Sequence, residues 1–165
     1  MNVLLCVACG RRVTEPVRLL PEVPERPGYD GTPGDDGRRH APATLPRGTY
    51  AVDPEPSGAP FVPREDQDED TYEGAYPGGP WMSEGSALLV AAGPRNTYVL
   101  HPDDVVGLAP HPDSDRLGGC CGPTGHNGVN RVCGCGAEVA TDFGDCYGPY
   151  EIHFDPGAVR PGAAV

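Results

Sequence analysis

The sequence predicts a mainly β chain, a small antiparallel sheet with long irregular loops, and three observations carry that prediction. Apolar residues come in short runs bounded by Gly, Pro or Asp, such as Ala87 to Ala92 and Thr97 to His101, which is how short strands read. The 24 glycines and 21 prolines are just over a quarter of the 165 residues, a share that leaves long segments irregular. The pattern Cys-Gly-x-x-Val occurs twice, at Cys9 to Val13 and at Cys135 to Val139, each time with another Cys just upstream.

Size and composition point to a single domain spanning residues 1–165. Hydrophobic residues are 38% of the chain, enough for a modest core that a metal staple would reinforce. Taken in order, Val3 to Val13 reads as strand, turn, strand. Its centre, Cys6-Val-Ala-Cys9-Gly10, has the spacing of a zinc knuckle, in which the Gly after the second Cys supplies a positive φ at little cost. A redox Cys-x-x-Cys opens a helix, and nothing after Gly10 resembles a helix start. Residues 21–46 are Pro, Gly, Asp and Arg with few apolar side chains, a loop or disordered insert. Thr49 to Val52 is a short strand that stops at prolines. Residues 63–80 form a second insert. Its acidic run Glu65 to Asp70 lacks the Gly that a calcium loop starting at Asp66 needs at its sixth position, where Thr71 stands, so it reads as a solvated acidic loop.

The turn-rich stretch Tyr76 to Met82 follows, with Trp81 expected as a lid on the core. Ala87 to Ala92 and Thr97 to His101 are expected to pair as a hairpin across Gly93 to Asn96. His101 to Leu108 reads as one helical turn, with Pro and Asp early and Gly late. His101 and His111 read as exposed turn residues rather than ligands. The loop Gly118 to Gly128 carries Cys120, Cys121 and His126. Val129 to Val132 leads into Cys133-Gly-Cys135-Gly136, and Ala137 to Thr141 leads out. Tyr150 to Phe154 is a strand with Ile152 and Phe154 on one face and Glu151 and His153 on the other. Residues 156–165 are expected to fray as a flexible tail.

The two Cys-Gly-x-x-Val turns suggest one tetrahedral site built from Cys6, Cys9, Cys133 and Cys135. Soft thiolates about 2.3 Å from the ion suit zinc. The second turn is Cys-x-Cys, one residue shorter than the usual knuckle. Closing a loop of about 120 residues costs a few kcal/mol, whereas structural zinc contributes roughly 10–16 kcal/mol, so the two chain ends can be joined. Cys120, Cys121 and Cys146 remain, with His126 nearby. Three readings stay open for them: a second zinc site of three Cys and His126, one site using a different four of the seven cysteines, or a reactive thiol with His126 as its base. Adjacent cysteines seldom both ligate one ion comfortably.

Charge disfavours some function classes. The net charge is −12 with a pI near 4.6, the reverse of a nucleic-acid surface, which needs basic groups to neutralise phosphates. Anionic membranes are disfavoured for the same reason, and no apolar run approaches the roughly 18 residues of a spanning helix. The N-terminal positive charges follow the apolar run, the opposite order to a signal peptide. A cytoplasmic location is therefore expected, where cysteine clusters bind metal more often than they form disulfides. An odd count of seven cysteines agrees with that.

All 12 basic residues are Arg and Ile152 is the only Ile, a usage that fits a GC-rich genome. The segments Arg47 to Pro56, His101 to Val105, and Gly119-Cys-Cys-Gly122 through Val132-Cys-Gly-Cys-Gly-Ala-Glu-Val139 to Asp145-Cys146 resemble a cysteine-rich zinc-binding family of actinobacterial proteins. That resemblance covers most of the chain outside the inserts and brings no activity with it. More distantly, an N-terminal Cys-x-x-Cys paired with a late knuckle is similar to zinc ribbons and to the β-tent domains of Yippee-like proteins and the cereblon ligand-binding domain. Those have Cys-x-x-Cys at both ends, from which Cys133-x-Cys135 departs. The resemblance implies a zinc-bound, mainly β fold with a small ligand pocket. The expected function is a non-enzymatic module that binds a protein or small ligand, with structural zinc. The alternatives are a thiol-dependent enzyme or redox or metal sensor using Cys120, Cys121 or Cys146, and a zinc-ribbon nucleic-acid binder.

Overall fold

A computed structural model describes residues 1–75 and 79–165, so Tyr76 to Gly78 of the turn-rich stretch lie outside the described residues. Runs of four to six residues with apolar side chains on alternate positions settle into strands, and the intervening Gly and Pro keep each strand short. The strands are β1 (Asn2–Cys6), β2 (Arg18–Leu19), β3 (Thr49–Asp53), β4 (Phe61–Pro63), β5 (Ser83–Glu84), β6 (Ala87–Ala91), β7 (Thr97–Leu100), β8 (Leu108–Pro110), β9 (Arg131–Cys133), β10 (Glu138–Phe143), β11 (Glu151–Phe154) and β12 (Val159–Ala163). The fold is mainly β, as the sequence predicts. Its helical content among the described residues is three short 3-10 turns, and no helix is long and apolar enough to cross a membrane.

A seven-stranded sheet in the order β2-β3-β7-β11-β10-β9-β8 forms the frame, antiparallel except where β2 runs parallel to β3. One face of it carries Tyr50, Leu100, Ile152, Phe154 and Val139, which pack in one cluster with Leu4, Cys6, Val13 and Val159. The last four come from the β1-β12 ribbon and the turn after β1. The opposite face carries Ala51 and Val99, packed with Leu45, Leu20 and Val23 from the chain between β2 and β3. That chain, read from sequence as an insert, is irregular but covers the second face of the sheet.

Three expectations are corrected. Residues 156–165 do not fray: β12 pairs with β1 along five residues, from Asn2 opposite Ala163 to Cys6 opposite Val159. The expected hairpin does not form either. β6 joins β4 and β5 in a separate three-stranded sheet, while β7 sits between β3 and β11. The chain changes sheet at Gly93, where a Cβ would stand 2.0 Å from the Ser57 carbonyl oxygen; the link is pressed against 57–59 and is not free to form a hairpin turn. Trp81 is not a lid. It is 54% exposed and meets Tyr72 edge-on at 4.8 Å, while the small cluster of Phe143, Ala75 and Ala91 with Phe61 and Met82 is built without it.

The helical turn forms as Pro102–Asp104, with the His101 imidazole accepting the Asp103 N–H. His111 accepts the Asp113 N–H in the same way at 3.0 Å, but the 3-10 turn that follows it, Ser114–Leu117, is capped by Asp113. In the acidic run, Asp66 and Asp68 accept the N–H groups two residues on, the ordinary work of Asp in turns.

Candidate metal centres

Each half of the first centre is a turn closed by its own backbone. In the N-terminal knuckle the Cys6 N–H donates to Arg11 O and the Gly10 N–H donates to Cys6 O, at 2.9 and 2.8 Å. In the second, the Cys133 N–H donates to Ala137 O and the Gly136 N–H to Cys133 O, at 2.8 and 2.7 Å. The two patterns match once the second is shortened by one residue. Gly10 and Gly136 close them at φ values of 73° and 89°, the left-handed region that glycine enters cheaply. The shared Cys-Gly signature therefore encodes one turn made twice, and Cys-x-Cys serves as well as Cys-x-x-Cys.

Two ends of the chain bring these turns face to face. β1 ends at Cys6 and is held by β12, and the Val7 N–H continues the ladder to Ala158 O at 2.9 Å. β9 and β10 carry the second turn. Gly134 lies between them, and a Cβ there would stand 2.8 Å from an Arg11 guanidinium nitrogen. The sulfurs of Cys6, Cys9, Cys133 and Cys135 all lie within 4.8 Å of one another. Across the two turns, Cys6 Sγ is 3.9 Å from Cys135 Sγ and Cys9 Sγ is 3.6 Å from Cys133 Sγ. A tetrahedral ion with metal–sulfur bonds of 2.3 Å sets its sulfurs about 3.8 Å apart. Those two separations lie close to that edge, and the four sulfurs together could hold a metal ion. Cys6 and Cys133 are buried in the main core, while Cys9 and Cys135 are exposed.

Taken as thiols, Cys133 and Cys135 are pulled in opposite directions. Burial pushes Cys133 up to about 12. The Ala137 N–H, aimed at the Cys135 sulfur, is the main influence drawing that thiol down to about 7. The Cys135 N–H is aimed likewise at Cys133, the arrangement by which knuckle amides stabilise thiolates.

Cys120, Cys121 and Cys146 form a second group, their sulfurs also within 4.8 Å of one another. The adjacent cysteines do point together, with Sγ atoms 3.8 Å apart. His126 is not brought into this group. It turns away to meet Phe61 edge-on at 5.9 Å, and burial lowers its pKa. Burial first, then the hydrogen bond that the Cys146 thiol donates to Cys121 and the charge of Asp145, pushes Cys146 up to about 12. Cys120 is raised by its contact with Cys121. A nucleophilic thiol needs the opposite shift.

Several residues around these centres were not singled out by sequence. Asp145 accepts the Cys121 N–H at 2.7 Å; its only signal is adjacency to Cys146 in a Gly-flanked turn. Arg26 spans Asp53 and Glu151 at 2.9 Å each, and a lone Arg in a Pro-rich segment gives no signal at all. Compared with family models, curated proteins and solved structures, the chain has no match.

Proposed function

We propose that this chain is a zinc-stapled, non-enzymatic binding module, in which Cys6, Cys9, Cys133 and Cys135 hold one structural zinc ion and the loops around the frame engage a protein or small ligand. The observation that carries the reading is the four-sulfur geometry: two cross-turn separations of 3.6 and 3.9 Å on either side of the tetrahedral edge. A closed set of four thiolates leaves zinc no open position, which is the mark of a structural site. Thiolate donors also favour zinc over hard cations. The binding half of the reading is supported by a surface cavity of about 670 Å³ bordered by Tyr29, His40 and Pro42. It lies on loop residues, where binding functions concentrate.

The test is metal analysis of natively purified protein together with Cys9→Ser. We expect at least one zinc ion per chain, and less zinc with loss of the β1-β12 ribbon in the variant. Unchanged zinc in Cys9→Ser, or less than half an equivalent in the native protein, overturns the proposal.

A further inference from the structure

We propose that Cys120, Cys121 and Cys146 form a second metal site of a different kind: three protein thiolates around a soft d10 ion such as zinc or cadmium, with the fourth position open to an outside donor. This goes beyond the structural reading of the four-cysteine site and does not depend on it.

The sulfurs already stand at ligating separations. All three lie within 4.8 Å of one another, and Cys120 and Cys121 are 3.8 Å apart, the edge of a tetrahedron with 2.3 Å bonds. They are held there by a built loop. Gly119 and Gly122 bracket the pair, and a Cβ on them would stand 1.7 Å from Gly122 O and 2.4 Å from Gly144 O. The loop closes on itself through Thr124 N–H to Gly118 O at 3.0 Å and is clipped to the other segment by Gly144 N–H to Pro123 O at 2.9 Å. Asp145, immediately before Cys146, accepts the Cys121 N–H. The backbones bearing the three thiols thus cross each other at a fixed distance, with no space for side chains between them. Glycine at 119 and 122 is what lets adjacent cysteines turn toward one ion.

Among the described residues no fourth His, Cys, Asp or Glu joins the group. Cys120 and Cys121 are exposed, and Cys146 borders a cavity of about 310 Å³ shared with Arg26 and Tyr29. Three protein ligands beside accessible space are the arrangement of a site that keeps an exchangeable position, unlike a closed four-cysteine site. A small thiol or water fits that position; a fourth side chain is not needed.

Cobalt(II) reconstitution in a phosphine reductant tests this, because the ligand field of each ion reports its donor set. We expect two cobalt ions per chain and a visible spectrum of which one component shifts when β-mercaptoethanol is added. Cys146→Ser is expected to bind one ion and to lose the response to thiol. Cys9→Ser is expected to keep the responsive component and lose the silent one. A wild-type stoichiometry of one, unchanged in Cys146→Ser, overturns the second site while leaving the first intact. Two ions with no response to thiol overturn the open position. If Cys146→Ser does not fold, Cys120→Ser, at an exposed position, makes the same measurement.

Discussion

Glu151 shows how a single residue ties covering loop to sheet. It lies in β11 with 1% of its surface exposed, yet it is held as a carboxylate. Arg26 donates to it through both Nε and Nη2 at 3.0 and 2.9 Å, His153 Nε2 is 2.7 Å away, and the Thr44 hydroxyl donates as well. Burial alone pushes the carboxyl up, but the His153 hydrogen bond and charge, with those of Arg26, outweigh it and bring it down to about 2, against an ordinary 4.5. A carboxyl lowered in the folded state contributes stability that is fully present above the unfolded value and is lost as pH falls through the folded one. Urea unfolding should therefore weaken progressively between pH 4.5 and 2, by at most about 3 kcal/mol from this group. Glu151→Gln should cost about 2–4 kcal/mol at neutral pH, because it leaves the half-buried Arg26 guanidinium poorly paired, and should flatten the acid limb. An acid limb as steep in the variant as in the wild type would place the proton uptake elsewhere. The alternation in Tyr150 to Phe154 made the two faces of this strand legible. It did not show that the polar face is buried, because the cover is an apolar-poor segment anchored by an ion pair, and ion pairs leave no periodic trace.

At the scale of elements, the knuckles were readable because a positive-φ Gly after Cys is a local requirement stated by local residues. The strand that positions one of them was not. Val159 to Ala163 reads Val-Arg-Pro-Gly-Ala, with a Pro and a Gly that argue against a central strand, but it is a ribbon edge, where Pro is tolerated. Val159 is fully buried beneath it, opposite Cys6 in the register. The hairpin failed for a related reason: short apolar runs announce strands without naming partners, and the close approach of Gly93 to 57–59 sends its two strands to different sheets. The positioning role of β12 has a direct consequence. Ending the chain after Ala158 removes the partner of β1 and the buried Val159, about 2–3 kcal/mol of packing and ladder. Since the two metal half-sites must be docked to bind, that loss should appear as at least a tenfold weaker affinity for zinc, read by competition with a chromophoric chelator. Equal affinities would mean that β1 holds its place without its neighbour.

Over the whole molecule, three sheets are joined by unlike means. The β1-β12 ribbon shares a dense apolar cluster with the large sheet and, under the proposed function, a metal ion as well. The β4-β6-β5 sheet is attached through the small cluster around Phe143, Ala91 and Ala75. With 38% hydrophobic residues and a net charge of −12, the chain has a modest apolar core, and under the proposed function a structural metal contributing roughly 10 kcal/mol or more would carry a large share of its stability. Removal of the metal should then act unevenly. The four sulfurs join residues 6–9 to 133–135, so the ribbon and the β9-β10 turn lose their tie, whereas the third sheet keeps its own cluster and its Tyr72 hydroxyl bond to Leu89 O. Hydrogen exchange before and after chelation, under reducing conditions, measures this. Amides of Leu4, Cys6, Val159 and Cys133 should lose protection first and by the largest factors, those of Leu89 and Ala91 later or not at all. A uniform loss over all three sheets would mean that the fold is a single cooperative unit in which the metal has no local role. No loss anywhere would show that the apolar cluster around Leu4 and Phe154 holds the ribbon unaided.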